Sequence, residues 1–101
     1  MPWFVKIEHG IVDKAVFDQF VPAHKSYIQS LNTKGHQATT GYWRDARGGM
    51  LLFHAASWAE AQQLVEQDPL IANRCVEYEL HEWVPVVTAI AVPLSPLHPE
   101  F

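Results

Sequence analysis

The chain has 101 residues, the length of one domain. Its residues are 49% hydrophobic and 18% charged, which excludes a disordered or low-complexity chain. Seven Lys and Arg against eleven Asp and Glu give a net charge of −4 without a basic cluster, so we expect no nucleic-acid partner. The single cysteine, Cys75, excludes an internal disulfide and a cysteine-based zinc site.

The N-terminal segment carries charge by Lys6 and has no apolar run of signal-peptide length. No stretch approaches the roughly 20 apolar residues that cross a bilayer. We therefore expect a cytoplasmic globular domain with no membrane partner.

Alternating residues predict a first strand from Trp3 to His9. Asp13 is a candidate N-cap for the helix that follows, which ends at Gly35. Pro22 interrupts this helix, so we expect a kink or a restart there. Its apolar stripe recurs at spacings of three or four residues: Phe17, Phe20, His24, Tyr27, Ile28 and Leu31.

Residues 36–44 are rich in β-branched and aromatic types and predict a second strand. A turn leads to a third strand over Met50–His54, forming a hairpin. The run from Met50 to Phe53 is apolar without alternation, which predicts a strand buried on both faces.

A capping box, Ser57-Trp-Ala-Glu60, begins the second helix, and Pro69 ends it. The last strand runs from about Cys75 to Trp83. The order βαββαβ predicts an α+β, ferredoxin-like antiparallel sheet with two helices on one face.

The other face of this sheet is expected to mix aromatic and charged side chains. That composition, with the doubly buried third strand, favours a homodimer with facing sheets, and a solvated sheet face is the alternative. The residues assigned to this face are Phe4, Lys6, Glu8, Glu77, Glu79, His81 and Trp83.

The segment after the last strand is apolar through Leu94 but contains four prolines. We expect it to pack as an extended arm, for which a position across the dimer is one option. The predicted organisation is a domain over residues 1–84 and a proline-rich extension over 85–101.

Two side chains are candidates for acid–base chemistry. His24 lies on the apolar stripe of the first helix, where it is either a half-buried histidine with one hydrogen-bond partner or a general base. Asp68 precedes a proline, where it is either a helix stop or a carboxylate held by a positive or donor partner.

Other chemistry has little support. No phosphate-binding glycine loop, serine-hydrolase elbow or HExxH motif is present. Ser57 is explained as an N-cap and Cys75 as a small buried hydrophobe. No pair of histidines has i,i+2 or i,i+4 spacing, so we predict no metal site.

In its ordered motifs the chain resembles the YCII-related family, the small YciI-like proteins of the dimeric α+β barrel superfamily. The resemblance covers residues 3 to about 84 and rests on a set of short segments. These are Pro22-Ala-His24-Lys-Ser-Tyr27-Ile-Gln-Ser-Leu31, Lys34-Gly35, Gly41, Gly49-Met-Leu-Leu-Phe53, Ser57-Trp-Ala-Glu-Ala61, Asp68-Pro69-Leu70, Val76-Glu-Tyr-Glu-Leu80 and Glu82-Trp83.

The resemblance implies a ferredoxin-like homodimer whose pocket centres on a histidine–aspartate pair, here His24 and Asp68. Tyr27, Trp43 and Arg44 are the expected ligand-binding residues, and Arg44 or Arg47 would suit an anionic oxygen. Family relatives include an enzyme that eliminates chloride from a chlorinated hydroxyquinol, and the superfamily includes lactone isomerases; neither chemistry needs a cofactor.

The chain departs from the family pattern in two places. It has Gly41-Tyr42 where the family often has Gly-Pro, and it continues about seventeen residues past the last strand. Two functions remain open: a cofactor-independent lyase or isomerase acting on a small cyclic or aromatic molecule, or a non-catalytic homodimeric module that binds a small ligand.

Overall fold

A computed structural model describes residues 1–87 of the chain. The elements in order are β1 (Trp3–Gly10), α1 (Lys14–Gln19), α2 (Val21–Thr33), β2 (Thr39–Tyr42), β3 (Gly48–His54), α3 (Trp58–Glu66), α4 (Pro69–Ala72) and β4 (Val76–Trp83). The strands form one antiparallel sheet in the order β2-β3-β1-β4. The predicted ferredoxin-like α+β fold is confirmed.

The core lies between one face of the sheet and the helices α2 and α3. Phe4 of β1 and Phe53 of β3 are fully buried there. From the helices, Leu31 of α2 and Val65 of α3 reach the same cluster. Burial of each such side chain stabilises the fold by about 1.5–3 kcal/mol, so this layer fixes the position of α2 on the sheet.

The predicted restart of the first helix is confirmed. The helix is interrupted at Phe20, which is the C-cap of α1 and the N-cap of α2. Pro22 lies in the first turn of α2, where no intrahelical N–H is needed. Gly35 follows α2 with a φ of +86°, a left-handed conformation that glycine adopts without a Cβ clash. Asp13 is at the N-cap of α1 as expected, although its side chain makes no capping hydrogen bond.

The hairpin differs from the prediction in length. β2 is only four residues long and wholly exposed, whereas β3 begins at Gly48, two residues before the expected start. Gly48 has a φ of +106°, and a Cβ there would lie 2.2 Å from the carbonyl oxygen of Glu8. The strand therefore starts where glycine allows β3 to approach β1 closely.

The predicted sheet faces were wrong for β1. Lys6 pairs with Leu80 and Glu8 with Tyr78, so these side chains share the helix-covered face, together with the buried Phe4. The alternation was correct but its phase was inverted, because two buried charges made the helix-facing side look like a wet surface.

The other side, which we call the open face, carries an apolar patch, with Glu77, Glu79 and His81 of β4 on the same side as predicted. Its cross-strand pairs place Val5 and Ile7 beside Leu52 and Met50 of β3. Met50 is 41% exposed and Leu52 is half-buried, so the prediction that β3 is buried on both faces was wrong for the isolated chain.

The second predicted helix, α3, differs from the prediction at both of its ends. The Ser57 hydroxyl accepts from the Glu60 N–H as predicted, but the Glu60 carboxylate accepts from the Ala56 N–H, one residue before the expected donor. Asp68 was expected to end this helix; it is the N-cap of α4, and its carboxylate accepts from the Leu70 N–H. It therefore lies at a favourable helix N-terminus.

None of the helices within residues 1–87 is long and apolar enough to cross a membrane. Residues 88–101, most of the predicted C-terminal arm, lie outside the described residues. Cys75 is fully buried, as expected of a small hydrophobe.

Candidate active site

A cluster of buried charges lies between β1, α2 and the start of α4. Lys6 and Asp68 have no exposed surface, and only 4% of Glu8 is exposed. The ammonium nitrogen of Lys6 lies 2.5 Å from Oδ2 of Asp68 and 3.2 Å from Oε2 of Glu8. Since buried charges persist only when they are paired, one ammonium group shared by two carboxylates is an expensive arrangement to keep.

Asp68 joins this cluster to His24. Its Oδ1 lies 2.9 Å from Nδ1 of His24 and also accepts a hydrogen bond from the Leu70 N–H at 2.9 Å. Burial raises the pKa of the Asp68 carboxyl, but the hydrogen bond with His24 and the charge of Lys6 outweigh burial and hold the pKa below its ordinary value. Asp68 is therefore an anion at neutral pH.

The position of His24 follows from the helix that carries it. α2 buries Ile28 and Leu31 against the sheet, and His24 lies one turn before Ile28 on the same face. The His24 side chain is 12% exposed, which confirms the predicted partial burial. An anionic Asp68 requires Nδ1 to donate, so Nε2 is the nitrogen that carries the lone pair in the neutral form of the ring.

His24 also lines an open cavity of about 480 Å³ between α1, α2 and the β2–β3 hairpin. The wall is mainly apolar, with charged groups at intervals. Its residues are Glu8, Lys14, Phe17, Asp18, Val21, His24, Lys25, Thr40, Gly41, Tyr42, Ala46, Arg47, Gly48 and Leu70. Asp68 does not line this cavity. Within residues 1–87, the His24–Asp68 pair therefore contacts the cavity through the imidazole ring.

The three expected ligand-binding residues lie outside this cavity wall. The hydroxyl of Tyr27 donates to the Leu64 carbonyl at 2.6 Å, and the indole N–H of Trp43 donates to the Glu8 carbonyl at 3.1 Å. Arg44 is exposed in the β2–β3 turn. The polar atoms of Tyr27 and Trp43 therefore hydrogen-bond to the backbone. Tyr42 and Arg47, close in sequence to Trp43 and Arg44, line the cavity.

Tyr27 is held as a neutral donor. Burial, followed by the negative charges of Asp68 and Glu8, raises the pKa of its phenol well above the ordinary value. Its ring centroid lies 6.3 Å from that of His24, so the two rings are neighbours in the site.

Three side chains of this cluster have the donor atoms of a metal site. One ligand atom each from Glu8, His24 and Asp68 lie within 4.8 Å of one another, a spacing that a cation could bridge. The ammonium group of Lys6, however, already lies against both carboxylates. A metal ion would have to displace this buried cation, so the set fits an internal ion pair better than a metal site.

Sequence reasoning missed Lys6 and Glu8 as site residues. Both lie on one face of β1, alternating with Val5, Ile7 and His9 on the other. The available signal was a lysine and a glutamate two residues apart on a central strand. Because β1 lies between β3 and β4, it has no free edge where water could solvate these charges.

A family model for the YCII-related domain matches residues 5–84. The chain belongs to this family. No curated protein gives a significant match.

Two solved structures are similar. The 5-chloro-2-hydroxyhydroquinone dehydrochlorinase of Burkholderia phenoliruptrix AC1100, in complex with 2,5-dihydroxybenzoquinone, matches with a TM-score of 0.63 and 22% identity, over 80% of this chain and 92% of that one. Muconolactone isomerase matches with a TM-score of 0.70 and 15% identity, over 92% of this chain and 99% of that one. At these identities the likeness shows a shared fold alone.

Proposed function

We propose that this protein is a cofactor-independent lyase or isomerase that uses His24 and Asp68 for proton transfer on a small cyclic or aromatic molecule. The observation that carries the proposal is the 2.9 Å contact between Nδ1 of His24 and a fully buried Asp68, at the wall of a cavity that the imidazole lines. A histidine oriented by a buried carboxylate is a recurrent acid–base device.

Each member of the pair has a distinct role. Asp68 keeps Nδ1 protonated and stabilises the imidazolium that forms when Nε2 takes a proton. His24 removes a proton from a carbon next to a carbonyl or enol group, and the C–H electron pair enters the conjugated system. In an isomerisation His24 returns the proton to another carbon; in an elimination a halide leaves with its bonding pair.

The size and polarity of the cavity support a ring-sized substrate. A volume of about 480 Å³ with side chains such as Phe17, Val21 and Leu70 accommodates one small apolar body. The names of the two similar structures describe a dehydrochlorination and a lactone isomerisation, both on small cyclic compounds. Arg47, which also lines the cavity, is suited to an anionic oxygen of such a compound.

The test is turnover of 5-chloro-2-hydroxyhydroquinone and of muconolactone by the purified protein. Turnover lost by about 10²-fold or more in His24→Gln and in Asp68→Asn, with an unchanged rate in His9→Gln, would support the proposal. His9 is an exposed histidine on β1 and controls for histidine removal in general. Binding of both compounds without turnover would favour the non-catalytic module.

We also propose that two copies pair through their open faces. Six residues of this face enclose a shallow apolar depression of about 410 Å³: Val5, Ile7, Met50, Leu52, His81 and Trp83. Trp83 is 42% exposed and Met50 is 41% exposed, and contiguous apolar surface of this kind is typical of a protein interface. A second copy is the partner available at equal concentration to cover it.

A further inference from the structure

The charged side chains that line the cavity beside His24 differ in whether they already have a partner. Asp18 forms an ion pair with Lys14, and the Glu8 carboxylate lies 3.2 Å from the ammonium group of Lys6. Each acid of the cavity wall is therefore matched by a cation within the protein. A ligand in the cavity meets little negative charge from these acids.

The wall also contains two bases without such a match, Lys25 on α2 and Arg47 in the β2–β3 turn. Within residues 1–87 neither side chain forms a salt bridge with a carboxylate. Both are charged at neutral pH. The cavity therefore presents an excess of positive charge to a ligand, although the chain as a whole has a net charge of −4.

The hydrogen-bonding capacity of the wall indicates the same class of ligand group. The hydroxyl of Thr40 already donates to the Met50 carbonyl at 3.0 Å. The ammonium group of Lys25 and the guanidinium group of Arg47 offer donors and no acceptor. A carboxylate supplies two charged acceptor oxygens, and a guanidinium group can bind both of them at once. A carboxylate is therefore the group that best complements the two bases.

The positions of His24 and Lys25 on α2 separate the charged end of such a ligand from its reacting atoms. The His24 side chain is 12% exposed, whereas Lys25, the next residue, is exposed. Successive residues of a helix lie about 100° apart around its axis, so a ring can contact the imidazole while its carboxylate lies nearer the solvent. Phe17, Val21 and Leu70 offer apolar contacts for the ring.

We propose that Lys25 and Arg47 determine ligand specificity by binding a carboxylate, so that the cavity selects rings that carry a carboxylate group over neutral rings of the same shape. This inference names the substrate class of the proposed function. It rests on that function only in placing the ligand in the cavity that His24 lines.

The inference is tested with three probes. Benzoate has the ring and the charge, benzamide has nearly the same shape without the charge, and acetate has the charge without the ring. Dissociation constants come from NMR titrations that follow the backbone amides of Phe17, Val21, His24, Gly41 and Gly48. The titrations are made at about 0.15 M salt, where interactions between charges more than about 8 Å apart are largely screened.

In the wild type we expect benzoate to bind at least about fivefold more tightly than benzamide, because two ion pairs at a partly enclosed wall each contribute a small factor. Acetate should bind at least about tenfold more weakly than benzoate, since it lacks the ring that the apolar side chains contact.

The test variants are Arg47→Gln and Lys25→Gln, and each should weaken benzoate about threefold or more while leaving benzamide unchanged. The matched controls are Arg44→Gln, in the same turn as Arg47, and Lys34→Gln, at the C-cap of α2. Neither control residue lines the cavity, so both controls should bind benzoate as the wild type does. All four side chains are exposed. If a test variant does not fold, the wild-type comparison of benzoate with benzamide decides the inference by itself.

Equal binding of benzoate and benzamide, no binding of benzoate at these amides, or an equal loss of benzoate affinity in the controls would overturn the inference. The failure of the proposed function looks different. Carboxylate selection without turnover of any substrate would leave the role of Lys25 and Arg47 intact and remove the enzyme. Turnover that depends on His24, without carboxylate selection, would do the reverse.

Discussion

Each face of the sheet departs from the usual pattern in one respect. The helix-covered face holds Lys6 and Glu8 among its buried residues, whereas the open face presents Ile7, Met50 and Leu52. Charges in the interior and apolar side chains outside both work against the stability of an isolated domain. Each departure coincides with a proposed binding site: a small molecule beside the buried charges, and a second chain on the open face.

The largest effect is expected on the buried side. Asp68→Ala leaves Lys6 with Glu8 alone, at 3.2 Å, and removes the N-cap of α4. We expect a loss of about 3–5 kcal/mol in the free energy of unfolding, measured by urea denaturation, because a buried charge loses its main partner. The double variant Lys6→Met/Asp68→Leu should recover a substantial part; a loss below about 1 kcal/mol in Asp68→Ala would contradict a tightly paired cluster.

On the open face the expected effect is on association. Leu52→Glu places a carboxylate in the apolar depression and should raise the dimer dissociation constant by about a hundredfold, since burying an unpaired charge costs several kcal/mol. Gln63→Glu on the exposed side of α3 adds the same charge elsewhere and is the control. Mass measurements by light scattering over a range of concentrations distinguish the two; a monomeric wild type at all concentrations would disprove the dimer.

The titratable groups of the two faces should lower the free energy of unfolding in different pH ranges. The pKa of Asp68 is below its ordinary value when folded, so its contribution is complete above about pH 4 and is lost as pH falls through the folded pKa. Urea unfolding of the wild type should therefore weaken steeply below pH 4. The Asp68→Asn variant should show a shallower slope there, and identical slopes would contradict the lowered pKa.

His54 gives the open face its own pH dependence. It is 6% exposed, stacks on Trp3, and its Nδ1 lies 3.2 Å from the Met1 carbonyl. Burial lowers the pKa of His54, although its hydrogen bond to Met1 acts in the opposite direction. Below about pH 6.5 His54 therefore binds a proton more readily in the unfolded chain than in the folded one, and the free energy of unfolding falls.

The measurement is the free energy of unfolding between pH 7 and pH 5. His54→Gln should reduce the fall in this range, and His9→Gln should retain the wild-type fall. A variant that lacks His54 but keeps the full slope would show that the histidine is not buried in solution.

The smallest effect is expected at the surface. Lys14 and Asp18 form an exposed i,i+4 ion pair on α1. Lys14→Ala should lower the free energy of unfolding by less than about 0.5 kcal/mol, and 1 M salt should remove the difference, because exposed pairs are screened. A larger loss would mean that Lys14 supports the cavity wall, which it also lines.

The contrast between the faces also explains how far the sequence could be interpreted. The element order and the restart at Pro22 were predictable because they depend on local periodicity and on the proline ring. The phase of β1 was not, because alternation specifies two faces without saying which one the helices cover. Only the ion pair of Lys6 with Asp68, 62 residues away, explains how a lysine is tolerated inside.

The candidate site divides in the same way. His24 was identified from its place on the apolar stripe of α2, and the family resemblance supplied its partner. The capping role of Asp68 was missed because a four-residue helix leaves almost no periodic signal. Tyr27 and Trp43 were assigned to ligand binding because aromatic residues near a histidine suit a pocket, but their polar atoms serve backbone carbonyls.

The close approach at Gly48 limits how this cavity can diversify. A side chain at position 48 would collide with the Glu8 carbonyl and push β3 away from the strand that delivers Glu8. Position 48 in the cavity wall therefore cannot carry a side chain, whichever ligand is bound. New ligand preferences would have to arise at positions whose side chains face the cavity without supporting the sheet, such as Val21 on α2 and Tyr42 and Arg47 on the hairpin.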